Sequence, residues 1–326
     1  MSDPGTRIKV LSVVGAGRSG TTVLASILGE VHGFESVGEL RYLWERGVLA
    51  ERPCGCGHPP GECTVWAPVI AKTVAALDGD DARRTIEDIV DAQHELARAR
   101  NLPRVLRSTD GSDNDWEALQ LVQRATAAAC AAFAEVTGSW VLVDTSKRPV
   151  DAAVLAGIES LDHYVLHIVR DPRAVVHSWR RVKTFTTAGK TRTMGQLTPM
   201  STVRRWITNS LEAELLRRRI PPSRWLHIRY EDFAVEPREC VDNIVSFLQE
   251  GGQTPFVDDH AVVLNPNHIV SGNPNRFTTG TVAISSDDEW QRKMPRGSQR
   301  MIGLVTFPLM LRYGYIRGHN DGRKTS

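Results

Sequence analysis

Apolar positions fall into short blocks separated by glycine-rich or polar turns. Ile8 to Val14 is a mostly apolar run of strand length, and the segment after Gly20 places Val23, Leu24, Ile27 and Leu28 on one helical face. Val31 to Leu40 reads as a short irregular stretch. Residues 67–107 read as mostly helical, with Ile86, Ile89, Val90 and Leu96 apolar among charged neighbours and a helix boundary at Asp78–Ala82. From Asp113 to Val136, Leu119, Val122, Thr126, Ala129, Phe133 and Val136 recur at spacings of three and four, which predicts a long amphipathic helix packed on a sheet. Trp140–Asp144, Tyr164–Val169 and Trp225–Arg229 are short apolar runs that predict buried strands. Helices are predicted over 196–219, from Val203, Ile207, Leu211 and Leu215, and onward from Pro237, from Val241, Ile244, Val245 and Leu248. From Ser271 on, the chain reads as rich in loops.

This alternation of strand and helix predicts an α/β fold of three layers with a central parallel sheet. One domain over 1–326 is expected, with a helical cap inserted at about 67–137. With 326 residues, 41% of them hydrophobic and 24% charged, the composition is that of an ordinary soluble protein. A formal charge of +2 gives no reason to expect nucleic acid as a partner. No apolar stretch approaches the roughly 20 residues that span a bilayer, and the first residues lack a signal-peptide layout, so a cytoplasmic protein is the default expectation.

The candidate chemistry begins in the turn Gly15-Ala16-Gly17-Arg18-Ser19-Gly20. Strand, glycine-rich turn and helix start together present free backbone N–H groups and the positive end of a helix dipole to an anion. The Walker A pattern is kept at Gly15, Gly20 and Thr22, but Thr21 stands where that pattern has lysine. An ordinary ATP or GTP hydrolase is therefore not expected, and the local cation is Arg18. A second anion signal lies at the end of a predicted strand: Arg170, then Asp171 as a helix cap, Pro172 at the first helical position and Ser178 two turns along. A fixed guanidinium beside a hydroxyl suits a phosphate, and Arg276, set among turn residues, is placed to reach an anion as well. Ser146 and Lys147 follow a strand and are candidate ligand contacts. Glu39, close in sequence to the glycine turn, is a candidate proton acceptor, with a solvated surface carboxylate or an ion pair to Arg41 as its plainer roles.

Residues 52–66 are dense in Gly, Pro and Cys. Cys54, Cys56, His58 and Cys63 are residue types that bind zinc, but their spacing is not one of the strong paired patterns. A reduced structural loop, or one bridge joining Cys63 to Cys54 or Cys56, fits that spacing better, so no metal ligand is assigned.

The two phosphate signals in this order resemble those of the sulfotransferases that use 3′-phosphoadenosine 5′-phosphosulfate (PAPS). Arg18-Ser-Gly-Thr-Thr22 is similar to that family's 5′-phosphosulfate loop, and Arg170 through Ser178 to its 3′-phosphate motif. Tyr230-Glu-Asp-Phe is similar to the segment that places a tyrosine near adenine, and Ser271-Gly-Asn-Pro-Asn-Arg-Phe with Trp290 to the last cofactor-binding loop. The resemblance, closest to carbohydrate and bacterial branches, spans about residues 8–313. It implies PAPS as sulfuryl donor, with Gly17, Arg18, Ser19, Gly20, Thr21, Thr22, Arg170, Ser178, Tyr230 and Arg276 as its binding residues. It implies Arg18 as the electrostatic catalyst and Glu39 as the base, with His32 and Glu35 as rivals, and no metal. The acceptor would be the hydroxyl or amine of a carbohydrate, lipid or small metabolite, met by the insertion and by Thr184, Thr186, Thr187, Lys190 and Arg192; a homodimer is compatible with this reading. A P-loop kinase, which would need Asp144 for magnesium, and an inactive nucleotide-binding protein are the competing readings.

Overall fold

A computed structural model describes residues 7–316 apart from 78–80, 109–114, 182–183, 188–189 and 194. Five parallel strands form the central sheet: β1 (Ile8–Val14), β2 (Phe34–Gly38), β3 (Val141–Lys147), β4 (Leu161–Val169) and, after a hairpin of β5 (Thr184–Thr187) and β6 (Lys190–Thr193), β7 (Trp225–Arg229). Their order is β2-β3-β1-β4-β7, with β1 hydrogen-bonded to β3 on one side and β4 on the other. The carboxyl end of β1 is therefore where the strand order reverses, the usual crevice for ligands in an open α/β sheet.

Alternation along β1 divides the core. Leu11 and Val13 pack with Leu24, Ile27 and Leu28 of α1 (Thr21–Leu28) and, farther along the chain, with Val241, Ile244 and Val245. Val10 belongs to a cluster on the other face, made with Ile86 and Ile89 of α3 (Ala82–Leu96), Trp66 and Val69 of α2 (Trp66–Ala75) and Phe133 of α5 (Glu117–Thr137). Val14 packs on that side too, with Val105 of α4 (Leu102–Arg107) and Val150 and Val154 of α6 (Pro149–Ala156). The sheet is thus the middle of three layers, as the periodicity predicts.

Two expectations are corrected. Residues 31–40 are not irregular: Phe34–Gly38 is an edge strand paired in parallel with β3. Its sequence, Phe-Glu-Ser-Val-Gly, carries too few apolar residues to announce a strand, and the partner ladder supplies what propensity lacks. The carboxyl-terminal part is not mainly loop. After α7 (Pro172–Arg180), α8 (Pro199–Arg217), α9 (Tyr230–Val235) and α10 (Pro237–Phe247) come a hairpin of β8 (Ala261–Leu264) and β9 (Gly280–Ala283), then α11 (Glu289–Lys293), α12 (Arg296–Val305) and α13 (Phe307–Arg312). No described helix is long and apolar enough to cross a membrane. None of the five cysteines is in a disulfide, so neither of the two candidate bridges forms.

The sheet also holds a histidine that makes stability depend on pH. His167 of β4 is buried among the rings of Trp225, His227 and Tyr313, at 5.2–5.6 Å between centroids. Burial first, then the neighbouring His227, Arg217 and Arg312, hold its pKa well below the ordinary histidine value. The imidazole is neutral in the native state, whereas the unfolded chain takes up a proton below about pH 6.5. Its contribution is therefore present above about pH 6.5 and is lost as pH falls, by about 1.4 kcal/mol per pH unit until the depressed folded-state pKa is reached. Urea titrations at pH 7 and pH 5 should show that His167→Phe loses less stability on acidification than the parent. Equal losses would assign the acid sensitivity elsewhere.

Candidate functional site

The loop after β1 is shaped by two glycines. Gly15 has φ 151°, and a Cβ there would stand 2.2 Å from the Ile168 carbonyl oxygen; Gly20 has φ 78°, and a Cβ there would meet the Tyr230 ring at 2.6 Å. Only glycine lets the turn lie this close to β4 and to the aromatic ring. Gly20 is also the cap of α1 and offers no side chain to its first turn, so the N–H groups there face outward for an anion. Between them, Arg18 has a left-handed backbone, φ 74°, unusual for a residue with a Cβ. Its guanidinium stacks 4.8 Å over Trp179, and burial, followed by the charge of Arg181, lowers its pKa. A crowded, partly dehydrated cation of this kind is relieved by an anion.

Two clefts meet at this loop. One is lined by Arg18, Gly20, Arg170, Ser178 and Tyr230, together with Asn273, Asn275 and Asp287. Arg170, 5% exposed, leaves the end of β4, donates from Nη1 to the Arg18 carbonyl at 2.9 Å and lies 4.3 Å over the Tyr230 ring. Its position is fixed from behind. Trp206 Nε1 donates to the Arg170 carbonyl at 3.0 Å, and Glu231 accepts from the Asp171 N–H at 3.0 Å and from the Tyr315 hydroxyl at 2.6 Å. Asp287 meets Arg170 at 3.2 Å and pairs with Arg181 as well. Burial pushes the Asp287 pKa up, but the hydrogen bonds from Arg181 and Arg170 outweigh it, and the net shift is downward. A carboxylate thus sits between two guanidinium groups in this cleft.

The other cleft is lined by Gly17, Arg18, Gly20, Thr21, Thr22, Glu39, Lys147, Arg204 and Arg205, among others. Glu39 is 8% exposed. Its backbone N–H donates to the Val270 carbonyl at 2.8 Å; Lys147 Nζ donates to Oε1 and the Ser271 hydroxyl to Oε2, the latter at 3.1 Å. Arg46 lies 3.6 Å from the same carboxylate, and Arg41 pairs with Asp151 instead of Glu39. The turn that carries Glu39 is anchored by Asp144, which accepts from the Leu40 N–H at 3.1 Å and from the Ser146 N–H and hydroxyl at 3.0 and 2.6 Å. Burial, partly offset by those donors, pushes the Asp144 pKa up to about 7.

Of the residues expected at a site, Gly17, Arg18, Gly20, Thr21, Thr22 and Glu39 share one cleft, while Arg170, Ser178 and Tyr230 share the other with Arg18 and Gly20. Ser19 is fully buried beneath the loop. Arg276 lines neither cleft: it donates to the Gly272 and Pro53 carbonyls at 3.0 and 3.2 Å, so Asn273 and Asn275 of its loop face the clefts in its place. Among the rivals for Glu39, His32 is exposed against Trp140 and Glu35 sits within the edge strand; neither lines these clefts. Asp144, which a kinase would need for magnesium, is buried and engaged by backbone donors. The side chains of Thr184, Thr186, Thr187, Lys190 and Arg192 lie outside the described residues. Sequence reasoning missed Asp287, Glu231, Tyr315 and Trp206, whose partners are remote in the chain and leave no local spacing to read.

Residues 11–251, which hold the loop, Glu39, Arg170 and Tyr230, match the model of the sulfotransferase family. The chain belongs to that family. No curated protein matches it. Among solved structures, the sulfotransferase is similar to a sulfotransferase domain from the curacin biosynthetic pathway, with 14% identity, a TM-score of 0.48, and coverage of 93% of this chain and 98% of that one. A sulfotransferase from Mycobacterium avium aligns at 14% identity and TM-score 0.42, over 98% of this chain and 79% of that one. Retinol dehydratase, in complex with androsterone and the inactive cofactor PAP, aligns at 12% identity and TM-score 0.42, over 97% and 84%.

Proposed function

We infer that this sulfotransferase moves a sulfuryl group from PAPS to a hydroxyl or amine of a small-molecule, carbohydrate or lipid acceptor. The observation that carries the reading is the phosphate loop standing between two clefts, one with Arg170, Ser178 and Tyr230 and the other with Glu39. The residues present fit such a donor. Ser19 Oγ and Arg170 Nε are buried and lack a hydrogen-bond partner among the described residues, and the Gly15–Gly20 turn lies so close to β4 and the Tyr230 ring that a Cβ at either glycine would clash.

When bound, PAPS supplies the activated sulfuryl group. The N–H groups at the start of α1, with Thr21 and Thr22, hold its 5′-phosphate. Arg170 and Ser178 hold the 3′-phosphate and so favour this nucleotide over AMP and ATP, and Tyr230 shelves the adenine side. Arg18 is effectively always protonated, so it stabilises negative charge on the transferred group and the departing phosphate without giving up a proton. Glu39 takes the acceptor's proton, with Lys147 and Ser271 fixing the carboxylate's direction. The cations come from side chains, and no metal takes part in this step.

Calorimetry with 3′-phosphoadenosine 5′-phosphate, AMP and ATP tests the reading. The bisphosphate should bind at least about tenfold more tightly, a difference of about 1.4 kcal/mol; equal binding of all three would sink the two-phosphate site. Arg170→Ala should abolish the preference for the 3′-phosphate.

A further inference from the structure

The cysteine-rich loop of residues 52–66 contributes no residue to the chemistry above, yet its side chains converge. Cys54, Cys56 and Cys63 meet His268, which is 205 residues away from Cys63 in the chain, and the four ligand atoms all lie within 4.8 Å of one another. His58, the histidine that the spacing suggested, is exposed and stands outside this group. We propose that Cys54, Cys56, Cys63 and His268 bind one zinc ion in a tetrahedral Cys3His site.

Three observations converge on it. The donor set is that of a closed structural zinc site, and bonds of about 2.3 Å to sulfur and 2.0 Å to nitrogen need ligand atoms about 3.5–3.8 Å apart. The separations, 2.9 Å between Cys54 Sγ and Cys56 Sγ and 3.1 Å between Cys63 Sγ and His268 Nδ1, reach that spacing with small side-chain adjustments. Next, neighbouring N–H groups hold the ligand-bearing segments together. The Trp66 N–H donates to Cys63 Sγ at 3.5 Å, the Trp66 indole to the His268 carbonyl at 2.6 Å, and the Gly55 N–H to the Ile269 carbonyl at 3.0 Å. Charge gives the third. Three thiolates, one neutral imidazole and Zn2+ sum to −1, and three thiol protons leave to solvent on binding. Arg276, buried beside the site with Nη2 on the carbonyl of Pro53, next in the chain to Cys54, has no carboxylate partner in any described ion pair. An anionic metal cluster would give this guanidinium a second negative neighbour, beside the Glu39 carboxylate whose charge already acts on it. Cys56 and His268 are only half-buried, which leaves a way in for the ion.

The ion would tie the 54–63 loop to the segment that holds Glu39, since Val270 and Ser271, two and three residues after His268, supply the acceptor and donor described above. Its role is to position, and the ion itself takes no part in the transfer.

The test uses the full chain, purified without a metal-binding tag. Elemental analysis should find about one zinc per chain. Exchange with Co2+ should give the intense thiolate charge-transfer bands and visible bands of a tetrahedral site. Cys63→Ser and His268→Ala should lose most of the bound metal, His268→Cys should restore it with shifted cobalt bands, and His58→Ala should leave it unchanged. A zinc chelator should lower the melting temperature of the parent. A chain that carries no zinc and gives no tetrahedral cobalt spectrum after metal addition would overturn the site, as would a mass-mapped disulfide among the three cysteines in freshly isolated protein. Because the cobalt spectrum is read on the parent chain, a misfolded variant does not decide the matter.

Discussion

Glu39→Gln is expected to lower turnover by about 10²–10⁴-fold, the range that general-base catalysis contributes. The substitution keeps the shape of the side chain and an acceptor oxygen for Lys147 or Ser271, but removes the oxygen that can hold a proton. Because Glu39 lines the cleft opposite Arg170, affinity for 3′-phosphoadenosine 5′-phosphate should remain near that of the parent. Single-turnover rates and calorimetry on the same preparation separate the two effects. Parent-like turnover would pass the base role to another residue. A combined loss of turnover and nucleotide affinity would mean that the turn anchored by Asp144 had shifted.

The second large effect is expected at Arg18. Arg18→Gly should reduce turnover by about 10²–10³-fold, the usual consequence of deleting one preorganised donor to developing charge. Glycine is the informative replacement because the backbone at this position is left-handed, φ 74°. A residue with a Cβ is strained there by on the order of 1 kcal/mol, so glycine relieves the loop while it deletes the cation. The variant should therefore melt at the parent temperature or above it while losing activity, which no general loss of structure would produce. Arg18→Lys should recover part of the rate by restoring charge without the planar fork. Full activity in the glycine variant would remove Arg18 from the transfer step.

How much of this was legible in the sequence follows from how far each signal reaches. Ile8–Val14, the helix after Gly20, the Asp171 cap and the Trp225–Arg229 strand are local, and the structure places them where periodicity and capping chemistry do. The edge strand Phe34–Gly38 escaped because its stability comes from pairing with β3, more than 100 residues on. Arg276 misled for the same reason. Its turn-rich surroundings are those of an anion-binding arginine, but the carbonyl of Pro53, 223 residues earlier, takes its Nη2. His268 was invisible beside the cysteines, since no spacing rule reaches across 205 residues. Lys147 could be suspected from its place at a strand end, but only the fold shows its ammonium on Glu39.

One hydrogen bond has a wider meaning than its 2.9 Å suggests. The contact from Arg170 Nη1 to the Arg18 carbonyl joins the tip of the glycine turn to the end of β4, so the two ends proposed to receive phosphates would be jaws of a single caliper. Its opening is set by backbone and a buried guanidinium instead of by flexible side chains. If the proposed function holds, a nucleotide would be gauged by the span between its charges as well as by their number. An adenosine bisphosphate with the same charges at a different separation could fill one jaw but not both.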